Sequence, residues 1–508
     1  MHTMKVDVCI LGSSFSGSLL AWLLASRGLR VVLVDRDRHP RFAIGESSTP
    51  VADLLLGQLA DRWGLPELVS LTRFGSWRRD FPELICGKKR GFSYFRHRPG
   101  KPFTDSADHD ASLLVAASST DADSDTHWLR ADVDQFFFDR AVVAGVQVSE
   151  AVALTRLEPE SSGWFVSWRP IDCSPAYETT VRADVLIDAS GGGGLLGSRL
   201  GLTRREDSLA TRTEAVYGHF RSVASWDALQ IAAGNRSTTW PFASDDAAQH
   251  HLFDEGWLWM LRFVDDRCSV GIVRPHQVSG GRSDATQIWQ ATLARYPSVA
   301  ALLAGSRSCE PLVATGRLNR LWSAAAGSRW AMLPTTAGFV DPLHSTGIAH
   351  AIHGVTRLAG VLASGSDPTE RMTEYGESVI DEIGWVDLLV SAAYAVWDDF
   401  ELFVEACRLF FIATIDFEQR LGDGQAPEQA GFLSADRQSL RTAMRKARER
   451  LLTARAATTS AGRRDHCQQL REILGPWDAA GLFTAATPRR LPHTAVRKPA
   501  DLDQAQSS

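Results

Sequence analysis

The chain has no cysteine framework to build on. Its seven cysteines, Cys9, Cys86, Cys173, Cys268, Cys309, Cys407 and Cys467, are scattered without a Cys-x-x-Cys pair. That pattern excludes a disulfide-stapled scaffold and a zinc site, and it points to a reducing cytoplasm. Charge of one sign is lacking too: 54 Lys and Arg against 60 Asp and Glu leave −6, so nothing favours nucleic acid or stable membrane association. An unbroken apolar run fit to span a bilayer is also missing. The nearest stretch, uncharged from Cys9 to Ser26, is interrupted by GSSFSGS and reads as strand, turn and helix rather than as a signal peptide. No carboxylate stands at ligand spacing from His350 and His353, so no metal site is assigned. What is present is an ordinary globular composition, 44% hydrophobic and 22% charged over 508 residues, with core enough for two or three structural regions and a small molecule as partner.

The N-terminus supplies a first motif. Val6 to Leu11 reads as a buried strand, Gly12 to Gly17 as a tight turn, Phe15 to Arg27 as a helix stopped by Gly28, and Arg30 to Val34 as a second strand ending on Asp35. This is a βαβ unit of dinucleotide-binding type. Helix N-terminal amides hold a pyrophosphate there, and Asp35, 23 residues after Gly12, accepts ribose hydroxyls, which favours NAD or FAD. The middle glycine of G-x-G-x-x-G is Ser14, where a side chain crowds the approach of the pyrophosphate; a βαβ turn that binds nothing is the plain alternative.

Two later segments narrow the choice. Ala183 to Ser190 is a further apolar strand carrying Asp188 and running into four glycines, Gly191 to Gly194, which let the backbone approach a ligand or simply form a flexible loop. In "GFVDPLHSTGIAH", residues 338–350, a strand end meets Asp341-Pro342. Then Ser345, Thr346 and Gly347 precede a helix whose apolar stripe runs through Ile348, Ala351, Ile352, Val355 and Leu358. Such a helix start points free N–H groups and a positive dipole at whatever lies beyond the sheet.

Taken in order, GSSFSG, "HPRFAIGES" (39–47), "HWLRADVDQFFFDRA" (127–141), "LIDASG" (186–191) and "GFVDPLHSTGI" (338–348) resemble the motifs of flavin-dependent halogenases, within the FAD-containing monooxygenase superfamily. The resemblance covers roughly residues 4 to 370. It implies an α/β, glutathione-reductase-like FAD-binding fold with an antiparallel substrate-side sheet, to which a C-terminal helical extension is added. It further implies FAD used in its reduced form, a chloride or bromide ion, O2, a separate flavin reductase and a small aromatic substrate. By that similarity Arg41 and Arg130 lie along the FAD, Asp341 meets the ribityl chain, and Glu46 and Ser47 sit near the isoalloxazine; Arg130 can instead pair with Asp134 one helical turn on.

The resemblance also assigns chemistry. Ser345, Thr346 and Gly347 are the candidate halide site, because helix-start amides bind an anion without a competing lysine. Lys89 matches the family's Lys-x-Gly, and alternation through Phe92 and Tyr94 suggests a strand that aims it inward, to polarise hypohalous acid derived from a flavin hydroperoxide or to form a chloramine. A solvated basic cluster is the alternative, with Lys88 the fallback if the register slips. Trp257 and Trp259, two apart on one strand face, fit walls that keep an organic substrate off the flavin, although core packing explains them too; the family's Ile-Pro after them is lost to Leu261-Arg262, so Arg262 is expected to alter the passage. His344 stands where the tryptophan-modifying branch has an acid, suited to act as base toward a phenol or an indole or to hydrogen-bond behind the site.

The remainder divides as follows. Residues 1–369 form the FAD and monooxygenase-like module, with FAD parts at about 1–80, 120–200 and 326–369, and a substrate-side sheet from about 81–119 and 201–325. Asp105 to Asp125 is expected to be a mobile loop. Residues 370–486 read as helical, capping a substrate cavity or forming a homodimer surface, with Gly422–Gly431 as a linker and Ser434–Arg455 as a basic amphipathic helix whose charged face is solvated; 487–508 read as a disordered tail. The leading expectation is a halogenase of an electron-rich phenol-, indole- or pyrrole-type molecule. A flavin hydroxylase or epoxidase, or a reductase of isoprenoid double bonds, are the alternatives on the same scaffold.

Overall fold

A strand that is apolar on both faces has to be covered on both faces, which parallel sheets achieve through their crossover helices. Met4–Leu11, Val31–Val34 and Thr179–Asp188 are such strands. In the computed structural model, which describes residues 4–172, 177–235, 240–276, 284–484 and 489–491, they lie parallel in the middle of one sheet. Its order is Ala326–Gly327, Trp330–Met332, Thr179–Asp188, Met4–Leu11, Val31–Val34, Gln147–Ser149, and the antiparallel pair Val152–Glu160 and Gly163–Pro170 extends it. Register pairs Leu11 with Val34 and Asp188, and Asp188 with Met332. The carboxyl ends of these strands therefore open along one edge, where doubly wound sheets bind their ligands.

Behind that edge the helix Phe15–Ser26, buried on all sides over its first ten residues, packs on the strands through a close backbone contact. A Cβ on Gly17 would lie 2.0 Å from the Gly12 carbonyl oxygen, and Gly12 itself has φ +107° with the place of its Cβ 2.6 Å from the Ala189 carbonyl. Only glycine permits this turn.

The second sheet runs in the order Arg307–Ser308, Thr213–Arg221, Arg267–Pro275, Trp257–Arg262, Ala248–Leu252, Gly91–Arg96, Ser112–Ala116, Arg490–Leu491, with Val313–Arg317 beside Thr213–Arg221. Alternation along Trp257–Arg262 shows how it divides the molecule. Trp257, Trp259 and Leu261 pack into the main core toward the parallel sheet, whereas Leu258 and Met260 pack into a second core with Trp226, Trp289 and Tyr296. The expected strands Glu214–His219 and Cys268–Val273 and the helix Thr286–Arg295 are all present, as Thr213–Arg221, Arg267–Pro275 and Ala285–Arg295.

Three expectations are corrected. Asp105–Asp125 is no loop throughout: it contains the fully buried strand Ser112–Ala116, whose short apolar SLLVA run is hidden in the sequence by the polar residues at both ends. The tail is ordered at Arg490–Leu491, which pairs parallel with Leu114 and Val115 while the Arg490 guanidinium meets Ser112 and Asp105; the rest of 487–508 lies outside the described residues apart from Arg489. Lys89 and Phe92 also do not share a strand. Cys86–Lys89 pairs with Asp125–Trp128, and the chain crosses at Arg90 into the second sheet.

The C-terminal region is helical, as Thr369–Ala395, Phe400–Gly422, Gln438–Ala456 and Ser460–Leu474. The basic helix buries Leu440, Met444, Ala447 and Leu451 against its neighbours, and Arg441 pairs with Asp381 on the helix Thr369–Ala395 and Arg455 with Asp398 in the turn that follows it. Among the described residues no helix is long and apolar enough to cross a membrane.

Replacing Gly17 with Ala should destabilise the fold by about 1–3 kcal/mol through overpacking. Gly57→Ala, in a helix where a Cβ meets nothing within 4 Å, should be neutral or gain up to about 1 kcal/mol. Denaturant unfolding of the two variants against the parent protein checks the contrast.

Candidate active site

Along the open edge of the parallel sheet lies a cavity of about 900 Å³. Gly12, Ser14, Asp35, Arg41, Glu46, Ser47, Arg130 and Gly347, all expected at a cofactor, line it together with Gly191–Gly193, Trp257 and Trp259. The start of the helix Phe15–Ser26 faces it, with Ser14 at the N-cap position and its hydroxyl 3.3 Å from that of Ser16. Two buried polar atoms of its lining have no partner among the described residues, the Ser47 hydroxyl and the Arg320 Nε. Glycine backbone, helix-start amides and orphaned donors are what a dinucleotide needs, so the residues present fit FAD.

The individual side chains sit as follows. Asp35 receives Arg41 in a two-pronged ion pair at 2.7 and 2.8 Å and accepts from the Ser13 amide and hydroxyl and the Asp37 amide. Burial opposes its ionisation, but these donors outweigh it and bring the carboxyl down to about 2. As an acceptor Asp35 is therefore already shared with Arg41. Arg130 both pairs with Asp134 at 2.7 Å and reaches the Ile44 carbonyl at 2.8 Å, so its helical-turn partner and its place at the cavity coexist. Glu46 is buried and accepts from His219 at 3.0 Å. Burial lowers the affinity of that imidazole for a proton, yet the Glu46 carboxylate prevails and leaves its pKa raised.

Three expected cofactor residues do not line the cavity. Asp188 is turned into the glycine loop, where it accepts from the Ser190 amide and hydroxyl and from the Leu196 amide; it shapes the loop that lines the cavity. Gly17 serves the packing described above. Asp341 is buried behind the wall, accepting from Thr213 at 2.6 Å, the Leu343 amide at 2.9 Å and Tyr394 at 3.0 Å. Burial raises its carboxyl to about 6 despite these donors. A short carboxylate flanked by backbone amides satisfies its own turn first, which spacing alone does not reveal.

The stretch 342–349 is a wall with two faces. Pro342, Ser345, Gly347 and Ile348 line the large cavity, while His344, Thr346 and Ala349 line a second, narrow one of about 30 Å³, closed otherwise by Phe92, Phe410, Phe411 and Glu418 among others. Ser345 caps the helix Thr346–Leu362 with φ 57°. That left-handed turn is what sends alternate residues to opposite sides. Of the expected halide residues, Ser345 and Gly347 therefore face the large cavity, and Thr346 faces the other.

Lys89 is fully buried. Its ammonium donates to the Ser48 carbonyl and sits 4.1 Å from the centre of the Phe92 ring. Ser47, on one side of Ser48, lines the large cavity, and Thr49, on the other, lines the narrow one. Burial pulls the Lys89 pKa down to about 8 against the opposing charges of Asp125 and Asp53. Lys88, on the opposite strand face, pairs outward with Asp121 and Asp246, so the register question is settled for Lys89 as the inward residue. Arg262 lies away from the passage, where it pairs with Asp245 and donates to the Val223 carbonyl. His344 stacks on Phe410 at 4.2 Å, bonds Tyr94 through Nδ1 at 3.1 Å and leaves Nε2 without a partner. Burial holds its pKa far below the usual histidine value, so the ring is neutral.

Sequence reasoning missed Arg320. It stands on a two-residue strand, donates to the Thr335 carbonyl at 2.7 Å and is pushed down to about 10 by burial, with Arg204 adding to the shift. No carboxylate pairs with it among the described residues, and no local motif marks it. The helix Phe400–Gly422 was legible as an apolar cap, but not which of its residues meet the cavity.

Comparison with known proteins agrees with this fold. Residues 127–408 match the family model for tryptophan halogenase, and 10–51 match that for an NAD(P)-binding Rossmann-like domain. The chain is 29% identical to tetracycline 7-halogenase of Kitasatospora aureofaciens, over 80% of this chain and 73% of that one. It is 29% identical to monodechloroaminopyrrolnitrin halogenase PrnC of Pseudomonas fluorescens, over 85% and 75%. Among solved structures, a variant of the halogenase PltM in complex with FAD is similar with a TM-score of 0.82 at 25% identity, over 93% of this chain and 96% of that one.

Two outcomes follow from the buried cations. A lysine whose folded pKa is lowered from 10.5 to about 8 binds fewer protons folded than unfolded between those values. Its penalty is therefore full below pH 8 and is lost as pH rises toward 10.5. Lys89→Met should accordingly be more stable than the parent at pH 7 by about 2–3 kcal/mol, with the advantage shrinking toward pH 10 in paired unfolding curves. Arg320→Met should weaken FAD binding about tenfold or more, the scale of a lost charge-assisted hydrogen bond, and flatten the salt dependence of the FAD dissociation constant measured by flavin fluorescence.

Proposed function

Because the chain belongs to the tryptophan halogenase family of flavin-dependent halogenases, we propose that it chlorinates or brominates an electron-rich aromatic small molecule. It is an enzyme of the oxidoreductase class that uses FAD and halide. In this reading reduced FAD comes from a separate reductase, O2 is the oxidant, and the site works in the cytoplasm. The observation that carries the proposal is the two-faced wall at 342–349, with a large cavity that fits FAD on one side, a narrow aromatic cavity on the other, and the buried Lys89 ammonium on the carbonyl of Ser48, whose two neighbours line one cavity each.

Bound FAD supplies the electrons and the oxygen chemistry that convert halide into hypohalous acid. The chain does the rest. The first amides of the helix Thr346–Leu362 lack intrahelical partners, and with the helix dipole they would hold a halide on the side of the large cavity that Ser345 and Gly347 line. Trp257 and Trp259, fixed by hydrogen bonds from their indole nitrogens to Tyr394 and Ser269, fill the cavity wall and keep an organic substrate off that face. Lys89 hydrogen-bonds and polarises hypohalous acid as it passes. With a pKa of about 8 roughly a tenth of it is free amine at pH 7, enough for a chloramine route as well. His344, neutral and lining the narrow cavity, is a polar contact for the aromatic substrate, and phloroglucinol, bound together with FAD in a PltM structure, is a suitable first probe.

The purified protein, given reduced FAD, O2 and bromide, should brominate an activated phenol well above a flavin-only blank; no trapping above that blank would overturn the reading. Lys89→Ala should reoxidise reduced FAD at the parent rate but lose halogenation by more than about a hundredfold. Unchanged product in that variant removes Lys89 from the mechanism.

A further inference from the structure

The narrow cavity holds one polar atom whose state the surrounding bonds determine. His344 Nε2 is buried without a partner, on a ring that is 1% exposed and lines the cavity. Its other nitrogen, Nδ1, lies 3.1 Å from the Tyr94 hydroxyl. Tyr94 is itself fully buried between His250, at 4.5 Å, and Phe403, at 5.6 Å between ring centres. Among the described residues His344 Nδ1 is the one hydrogen-bond partner of that hydroxyl.

Two arrangements of the protons satisfy the contact. If Nδ1 carries the ring proton, it donates to the Tyr94 oxygen, and the tyrosine O–H is left buried with no acceptor. If Tyr94 donates to Nδ1, the ring proton moves to Nε2, whose N–H has no partner within the protein but sits on a ring that lines the cavity, where water or a bound molecule can accept from it. The Tyr94 hydroxyl lines neither cavity, so in the first arrangement its donor stays unmade at a cost of about 1–3 kcal/mol, which selects the second arrangement by roughly fivefold or more.

We propose that Tyr94 locks His344 as the Nε2–H tautomer, so that His344 presents a hydrogen-bond donor, not a base, to the aromatic substrate. The substrate class is then a flat ring bearing an oxygen that accepts: a phenol, phenolate, aryl ether or aryl carbonyl. A ring with only an N–H to offer, such as an unsubstituted indole or pyrrole, finds no acceptor at this position. His344 touches the substrate, while Tyr94 is a positioning residue that acts through it. The cavity as it stands has room for about two water molecules, so admission of a ring requires Phe410 or Phe411 to change rotamer, an ordinary adjustment on binding. The location of the substrate rests on the halogenase reading; the tautomer does not.

The test uses the full chain labelled with nitrogen-15 histidine, His344 being assigned by loss of its signals in His344→Gln. The expected spectrum shows Nε2 protonated and Nδ1 bare for His344, with Tyr94→Phe allowing both tautomers. Binding to the FAD-loaded protein is then measured with resorcinol and with 1,3-dimethoxybenzene, whose oxygens only accept. His344→Phe should weaken both by about three- to tenfold, one neutral hydrogen bond. A protonated Nδ1 in the parent protein overturns the proposal. So does a His344→Phe effect confined to resorcinol, which would make His344 an acceptor, or no effect on either probe. The bromide assay above reports separately on the halogenase reading.

Discussion

Everything at this site hangs on the buried carboxylate of Asp341. It accepts from Thr213 in the second sheet, from Tyr394 in the C-terminal helical region and from the Leu343 amide in its own turn. The Tyr394 hydroxyl in turn accepts from the Trp257 indole at 2.9 Å. One carboxylate thus fixes three separately built parts of the molecule to the start of the helix Thr346–Leu362, and the tryptophan wall is tied to it through a single hydroxyl. Burial alone would make such a group neutral. Three donors offset much of that cost, and removing any one of them leaves a desolvated acceptor underpaired. Asp341, expected at the cofactor, thus stands behind the cavity lining and holds the wall in place.

Ion pairs such as Arg41–Asp35 and Arg130–Asp134 stand at the large cavity, but the histidines on the two cavities are uncharged: burial drives His250 on the large one and His344 on the narrow one to the neutral form, with the buried Lys89 ammonium nearby. This follows from the dielectric. A second cation near Lys89 would repel it at several kcal/mol in a poorly screened interior, so the histidines contribute oriented N–H and lone-pair dipoles instead. His250 donates Nδ1 to the Ser93 or Ala248 carbonyl, and His344 is fixed by Tyr94.

The sequence disclosed this arrangement unevenly. The βαβ unit was legible because its signals are local: a both-sides-apolar strand, glycines where backbones touch, and an acid after the second strand. Lys89 was legible as inward only through its motif, since Lys88, Lys89 and Arg90 look alike in composition and period-two alternation decides the rest. Asp188 and Asp341 were placed at the cofactor from their motifs. Motifs mark positions where the backbone turns, and the carboxylates serve those turns. The strand Ser112–Ala116 was obscured by acidic neighbours, and Arg320 was invisible because its setting is made by residues away from it in the chain, among them Arg204, Thr335 and Phe339. Long-range pairing such as Arg490–Leu491 against Leu114–Val115 leaves no periodic trace in two residues.

The same logic explains why the reaction could be read and the substrate could not. Of the narrow cavity's residues, His344, Thr346 and Ala349 fall inside the segment that matches the family model, residues 127–408. Thr49 to Val51, Phe92 and Ala117 precede it, and Phe410 to Leu433 follow it. The flavin side is made by turns that any such enzyme must repeat, since glycine contacts and helix-start amides have few substitutes. The aromatic side is made by side chains on the helix Phe400–Gly422 and its flanks, where a change of volume is tolerated if the helix still packs. The shape of that side is therefore set largely by apolar residues on a scaffold segment without motifs, with Thr414 and Glu418 among them, while His344 reaches the same cavity from the segment that the family model covers.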